Sequence, residues 1–208
     1  MARGLLFVLS DPGSVDEALF HDWYDNEHAP ARAALDGIHD GQRLRALDGE
    51  RPPWLATYDL DLEVLDSPEY RALAELSSDR ERSIMAELAT LDRRVYELID
   101  DHGGGTEQPA VVLASSLTVA PADEAALTAW LLEDHIPLLH EIPGWLRTRR
   151  YRLVEGSAPT VLALHELADP EPLETDAYRA ATSTSRRAAV MATALERERR
   201  VFAHHRRF

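Results

Sequence analysis

The sequence predicts an α+β fold built of two ferredoxin-like βαββαβ units in tandem, and three observations carry the prediction. The first is a repeat. Trp23-Tyr24-Asp25-Asn26-Glu27-His28-Ala29-Pro30, followed by Gly37, Arg43 and Arg45, returns at an offset of 107 as Trp130-Leu131-Leu132-Glu133-Asp134-His135-Ile136-Pro137, followed by Gly144, Arg150 and Arg152. Roughly a third of the positions aligned from Asp16 to Leu60 are identical, several times what unrelated segments give. The second is periodicity: each half reads strand, helix, strand, strand, helix, strand. The third is size, since 208 residues with 45% hydrophobic content suffice for two small cores.

Taken in order, Leu5 to Leu9 is an apolar run closed by Asp11-Pro12-Gly13, which reads as a buried strand. Asp11, Ser14 or Asp16 then caps a helix whose apolar residues Leu19, Phe20, Trp23 and Tyr24 recur at helical spacing. Pro30 has no N–H for the preceding turn and its ring crowds it, so the backbone from Asn26 to His28 is expected to be kinked or partly unwound. Ile38 to Leu47 and Trp54 to Leu62 alternate as neighbouring strands around the turn Asp48 to Pro53, with Trp54, Ala56, Tyr58 and Leu60 on one face. Ser67-Pro68-Glu69 opens a helix running through Tyr70, Leu73, Leu76, Ile84, Met85 and Leu88, and Arg94 to Asp100 is the last strand of the unit. The Gly-rich stretch 102–109 is a linker between a first unit, 1–101, and a second, 110–208. The second unit repeats the order: strand Val111 to Val119, helix from about Pro121 with its kink at His135-Ile136-Pro137, strands Trp145 to Val154 and Thr160 to Leu167, helix from about Glu174 and strand Arg199 to His205. A βαββαβ unit carries its helices on one sheet face and needs cover for the other. Two such sheets supply it, so the tandem is expected to form an intramolecular dimeric α/β barrel.

Composition excludes several chemistries. There is no cysteine, which removes thiolate catalysis, cysteine-ligated zinc, iron–sulfur ligation through cysteine and disulfides. All 22 basic residues are arginine, so neither a lysine Schiff base nor a Walker lysine can form. A formal charge of −15 makes nucleic acid a poor partner. No apolar run has membrane-spanning length and the N-terminus lacks a secretory signal, which places the protein in the cytoplasm as an expectation.

Trp23-Tyr24, then Glu27-His28-Ala29-Pro30, then Gly37, with an aromatic residue on the third strand and the later Ser67-Pro68-Glu69-Tyr70, resembles the EthD-like branch of the dimeric α/β-barrel superfamily. Relatives there include muconolactone-type isomerases, polyketide cyclases, cofactor-free anthrone-type monooxygenases, dehydratases and chlorite dismutase-like haem proteins. The resemblance implies a pocket in each unit between sheet and helices, with the histidine before the proline near its lining: His28, and by the repeat His135.

His28 and His135 are candidate general acid–bases, because an imidazole titrates near operating pH; a cap on a kinked helix is the plain structural alternative. Tyr58 and His165 share one repeat position on the third strand and are candidates to donate to, or exchange a proton with, a developing enolate or phenolate oxygen. Trp23, Tyr24, Trp54, Trp130 and Tyr151 are candidate substrate-contacting aromatics, with core packing the alternative. Arg43 and Arg150 are candidate anion ligands, although sharing a strand face with Arg45 and Arg152 favours a solvated or inter-half ion-paired face. Glu27 and Asp134 adjoin the histidines, but neighbours on a helix diverge by roughly 100°, which disfavours pairing within one half. Asp59 and Glu166 alternate away from the pocket face. His135, His140 and His165 lack a tight metal-ligand spacing, so no cofactor is expected, with haem or a metal ion the alternative. The expected function is a cofactor-independent enzyme performing acid–base chemistry on a small apolar carbonyl or phenolic metabolite: an isomerase, cyclase, dehydratase or monooxygenase. The rival is a non-catalytic pocket protein that binds or carries a hydrophobic small molecule, or a scaffold in which the second copy has become structural. The expected partner is a small-molecule substrate, with homodimerisation beyond the internal pseudo-dimer open.

Overall fold

The computed structural model describes residues 2–75, 78–104 and 107–208. Leu76 of the expected helix and Gly105 and Thr106 of the expected linker lie outside the described residues.

The chain forms two compact units. The first comprises residues 1–98, 154–157 and 204–208, and the second residues 99–153 and 158–203. In the first, the strands β1 (Arg3–Asp11), β2 (Ile38–Ala46), β3 (Trp54–Asp61) and β4 (Thr90–Gly103) form an antiparallel sheet in the order β4-β1-β3-β2. In the second, β5 (Val111–Val119), β6 (Trp145–Glu155), β7 (Val161–Leu167) and β8 (Ala194–Arg207) repeat it as β8-β5-β7-β6. Even the irregularities recur: a bulge between Ile38 and Asp40 returns 107 residues later between Trp145 and Arg147. The fold is α+β, with two ferredoxin-like units in tandem in one chain, of the dimeric α/β-barrel class.

The helices lie where periodicity puts them, with two refinements. Asp16 accepts from the Leu19 N–H and starts α1 (Glu17–Trp23). The chain then widens into a π turn at Tyr24–His28 before α2 (Ala29–Ala33), and the Ala29 N–H reaches back to the Tyr24 carbonyl, five residues away. Pro30 lacks the N–H an α turn would need, and the wider turn absorbs the mismatch. The second unit does the same with α5 (Glu124–Trp130), a π turn at Leu131–His135 and α6 (Ile136–His140). The second refinement is a correction: the helix expected from Pro68 to Leu88 is two helices, α3 (Pro68–Glu75) and α4 (Asp79–Glu87). Ser78 decides this, because its hydroxyl accepts from the Glu81 N–H and begins a new helix. Likewise α7 (Asp176–Ala181) and α8 (Ser185–Thr193) follow one another, the second capped by Thr184.

The expected strand face is the core face. Trp54, Ala56, Tyr58 and Leu60 pack with Phe20, Trp23, Tyr24 and Ile84 in the first unit. In the second, Leu117, Leu127, Trp130, Leu131 and Val190 close around one end of the sheet. Val111, Leu113, Leu139, Trp145 and Leu167 close around the other.

Candidate functional site

The π turn aims the repeated histidine at the helix-facing side of each sheet. In the first unit His28 Nδ1 bonds Glu81 Oε1 of α4 at 2.8 Å, and the ring lies 4.5 Å from Trp23 and 4.9 Å from Tyr24. Burial outweighs the carboxylate: the imidazole is lowered to about 4, with Glu81 opposing the shift and Arg32 adding to it. His28, Tyr24, Tyr58 and Tyr70 share a cavity of about 110 Å³. Burial raises the Tyr24 hydroxyl and pushes Tyr58 well above the ordinary phenol value, so both phenols stay protonated.

Of the two histidine cavities the second unit's is the larger, about 300 Å³, lined by Trp130, Leu131, His135, Ala163, His165 and Met191, with Ser115 and Ser116 on the strand side. His135 stacks on Trp130 with ring centroids 4.5 Å apart. Its Nδ1 is buried without a hydrogen-bond partner. Burial first, then the charge of Arg187, lowers this imidazole to about 4, while the Ala181 backbone and Asp134 oppose the shift. His165, fully inside, is lowered to about 3, again chiefly by burial. Both are neutral at neutral pH.

His165 is also wired. Its Nδ1 lies 2.9 Å from Thr148 Oγ1, which lies 3.0 Å from His140 Nε2 and accepts from Trp145 Nε1 at 3.2 Å. A hydroxyl has one proton to donate. With Trp145 donating to it, the simplest satisfied arrangement has Thr148 donate to one imidazole and accept from the other. The tautomers of His140 and His165 are thereby coupled.

The two units differ here in concert. The repeat equivalents of His140, Thr148 and His165 are Ala33, Gly41 and Tyr58. A Cβ on Gly41 would meet Tyr58 Cδ1 at 3.2 Å and Cε1 at 3.3 Å. Glycine opposite tyrosine makes room for the ring; threonine opposite the smaller histidine bonds it instead.

The other candidates distribute as follows. Tyr24 lines the first cavity and Trp130 the second, whereas Trp23 and Trp54 are buried in packing beside the first. Arg43 is a correction: it is fully buried, not on a solvated face. Its strand position, opposite Ala56, puts it on the helix side, where Asp25 Oδ1 accepts from Nη1 at 2.7 Å. Its guanidinium carbon lies 4.8, 4.5 and 4.3 Å from the Phe20, Tyr24 and Trp54 ring centroids. Those ring faces take the place of water around a cation whose Nε and Nη2 are otherwise unbonded. Arg150 is buried and its Nε bonds Asp100 Oδ1 at 2.9 Å. Tyr151 pairs with Leu162 and therefore projects from the face opposite His165, away from the chamber. Glu27 serves Arg80, not His28.

Glu81, Thr148 and Arg187 escaped the sequence reading, and His140 entered it only as a possible metal ligand, because their partners lie 8 to 53 residues away along the chain or, for Arg187, on another helix. The concerted substitution of Ala33, Gly41 and Tyr58 was the available signal. Among the described residues, His21, Asp25 and His205 bring possible ligand atoms within 4.8 Å of one another. Arg43 already holds that carboxylate and Arg206 approaches it to 4.0 Å, so guanidinium charge opposes a second cation there.

No protein-family model and no curated protein sequence matches the chain. Solved structures do. An anthrone oxidase-like protein superposes with a TM-score of 0.68 at 14% identity, covering 100% of this chain and 92% of its own. A presumed monooxygenase from Fusobacterium nucleatum gives 0.65 at 8%, covering 99% and 94%. A presumed chlorite dismutase gives 0.65 at 10%, covering 99% and 96%. At these identities the likeness is one of fold, shared along the whole chain.

Proposed function

We propose that the protein is a small-molecule enzyme whose second-unit chamber performs acid–base chemistry at carbon next to a carbonyl or phenol, without a bound cofactor. The observation that carries this reading is His135: a neutral imidazole whose buried Nδ1 has no partner, on the wall of a chamber of about 300 Å³. With Nδ1 free of any protein partner, this imidazole can donate there while its other ring nitrogen accepts a proton from a substrate, and aromatic stacking on Trp130 fixes its plane. His165 takes the electrophile's part. Held by Thr148, it presents its other ring nitrogen to a developing oxyanion, and the Thr148–His140 link returns the proton from a half-buried histidine. The chamber is at the lower end of the range for drug-sized ligands, which suits a one- or two-ring metabolite.

The first-unit site, with His28 tied to Glu81 and a bulky Tyr58, is the more filled copy, so the lead passes from His28 and Tyr58 to His135 and His165. The names of the structural neighbours, anthrone oxidase-like and monooxygenase, favour a substrate whose anion then meets dioxygen. Isomerisation, cyclisation and dehydration begin with the same proton transfer.

The test is proton–deuterium exchange in D2O, followed by NMR over a panel of cyclic ketones, 1,3-diketones and anthrone-type phenols. An active panel member should lose exchange by about 10²- to 10⁴-fold in His135→Ala and in His165→Gln, with circular dichroism showing both variants folded at the assay temperature. Parental exchange rates in both variants would remove these imidazoles from the chemistry.

A further inference from the structure

The two histidine sites can be compared atom by atom, because the helices facing them start alike. Ser78 and Thr184 are equivalent N-caps, and the residues whose N–H groups they accept from, at 3.0 and 3.1 Å, are Glu81 and Arg187. The histidine that meets a carboxylate in the first unit therefore faces a guanidinium in the second. His28 Nδ1 is satisfied by Glu81 at 2.8 Å; His135 Nδ1 is buried and unsatisfied. Strand register adds two more cations. Leu6 pairs with Val95 as Leu113 pairs with Val201, which makes Leu91 and Arg93 the counterparts of Arg197 and Arg199. Arg93 is neutralised by Glu155 at 2.5 Å. Arg187, Arg197 and Arg199 have no carboxylate within ion-pair distance among the described residues, although most of the chain's 22 arginines do. All three line the chamber. Arg197 and Arg199, two apart on β8, project together from the helix-facing side, and Glu198 between them also contributes to the chamber lining. In a chain of net charge −15, a cavity lined by three arginines and a single carboxylate, Glu198, is a local exception.

We infer that the second-unit chamber takes a ligand bearing a carboxylate, seated between His135 Nδ1 and Arg187 where the first unit carries its own Glu81 carboxylate, with Arg197 and Arg199 at the mouth. The ligand supplies the group that the duplicated copy lost. A planar guanidinium and an imidazole N–H are both donors to such a carboxylate, and the apolar wall of Leu131, Val161 and Met191 receives its ring. This deepens the reading of the chamber as a small-molecule site and rests on it. It also assigns the bound anion a second effect: burial chiefly keeps His135 neutral and the Arg187 charge adds to it, and the anion offsets that second part and makes the imidazole a stronger base.

Binding tests it without turnover. Titrating the full chain with 2-naphthoate and with the neutral 2-naphthamide, followed by calorimetry at low salt and pH 7.5, should show the carboxylate bound at least about tenfold more tightly. The preference should shrink with added salt. It should vanish in Arg187→Glu, which restores the first unit's charge, and weaken in Arg197→Gln, whose exposed side chain is not needed for folding. Equal affinities, an absence of saturable naphthoate binding, or a preference that survives Arg187→Glu in a folded variant would each overturn the inference. A carboxylate preference in a protein without any exchange activity would uphold it and sink the enzymatic reading; exchange on neutral ketones with no such preference would do the reverse.

Discussion

Thr148 shows how a single hydroxyl can organise a site. It is fully buried, it receives Trp145 Nε1, and it stands between two imidazoles. Thr148→Val keeps the shape and strands a buried indole N–H and an imidazole nitrogen, so chemical denaturation should report a loss of about 1–3 kcal/mol. The His165 and His140 resonances should also cease to titrate together by NMR. Gly41 makes the complementary case. Gly41→Thr, which copies Thr148 into the first unit, drives a Cβ to within 3.2 Å of the Tyr58 ring and should cost about 1–3 kcal/mol by overpacking. The double change Gly41→Thr with Tyr58→His should recover part of that loss, and a double-mutant cycle measures how much.

The working element is the helix that carries each histidine, and its π turn is a consequence of Pro30 and Pro137. The proline withdraws one N–H, the turn widens to five residues, and the histidine at its end leans toward the sheet. Pro137→Ala restores the missing donor and lets the segment tighten into regular α-helix. Its melting midpoint should hold within a few degrees, while exchange activity and carboxylate affinity fall together because His135 leaves its place over Trp130. Hydrogen-exchange protection of the amide that this substitution introduces reports the tightened turn directly. The proline spacing made the kink legible from the sequence. That the kink would be a π turn was not, since spacing fixes the missing donor and not the route by which the chain compensates.

At the scale of the molecule, three imidazoles are held neutral by burial: His28 at about 4, His135 at about 4 and His165 at about 3. Each is lower than in the unfolded chain, so between about pH 6.5 and 4 the unfolded state binds more protons and stability rises with pH. The stabilisation is complete above the unfolded value and is lost as pH falls through this window, on the order of 3 kcal/mol per imidazole. Melting temperature should therefore drop steeply from pH 6.5 to 4, and replacing His165 with Gln should flatten the curve. A curve already flat in the parent protein would contradict the burial of these groups.

The repeat, read from residue identities alone, determined the α+β class, the order of the strands and helices, the place of the kink and the strand face that becomes core, because those follow from local patterning and from duplication. The tertiary structure decided which copy keeps the roomier chamber, that Arg43 is entombed among aromatic rings instead of solvated, that Tyr151 turns away, and which residues serve the histidines. Those outcomes depend on pairs such as His28 with Glu81 and Thr148 with His165, brought together across tens of residues by sheet register and helix packing. Spacing along a chain carries no record of such distances until the chain has folded.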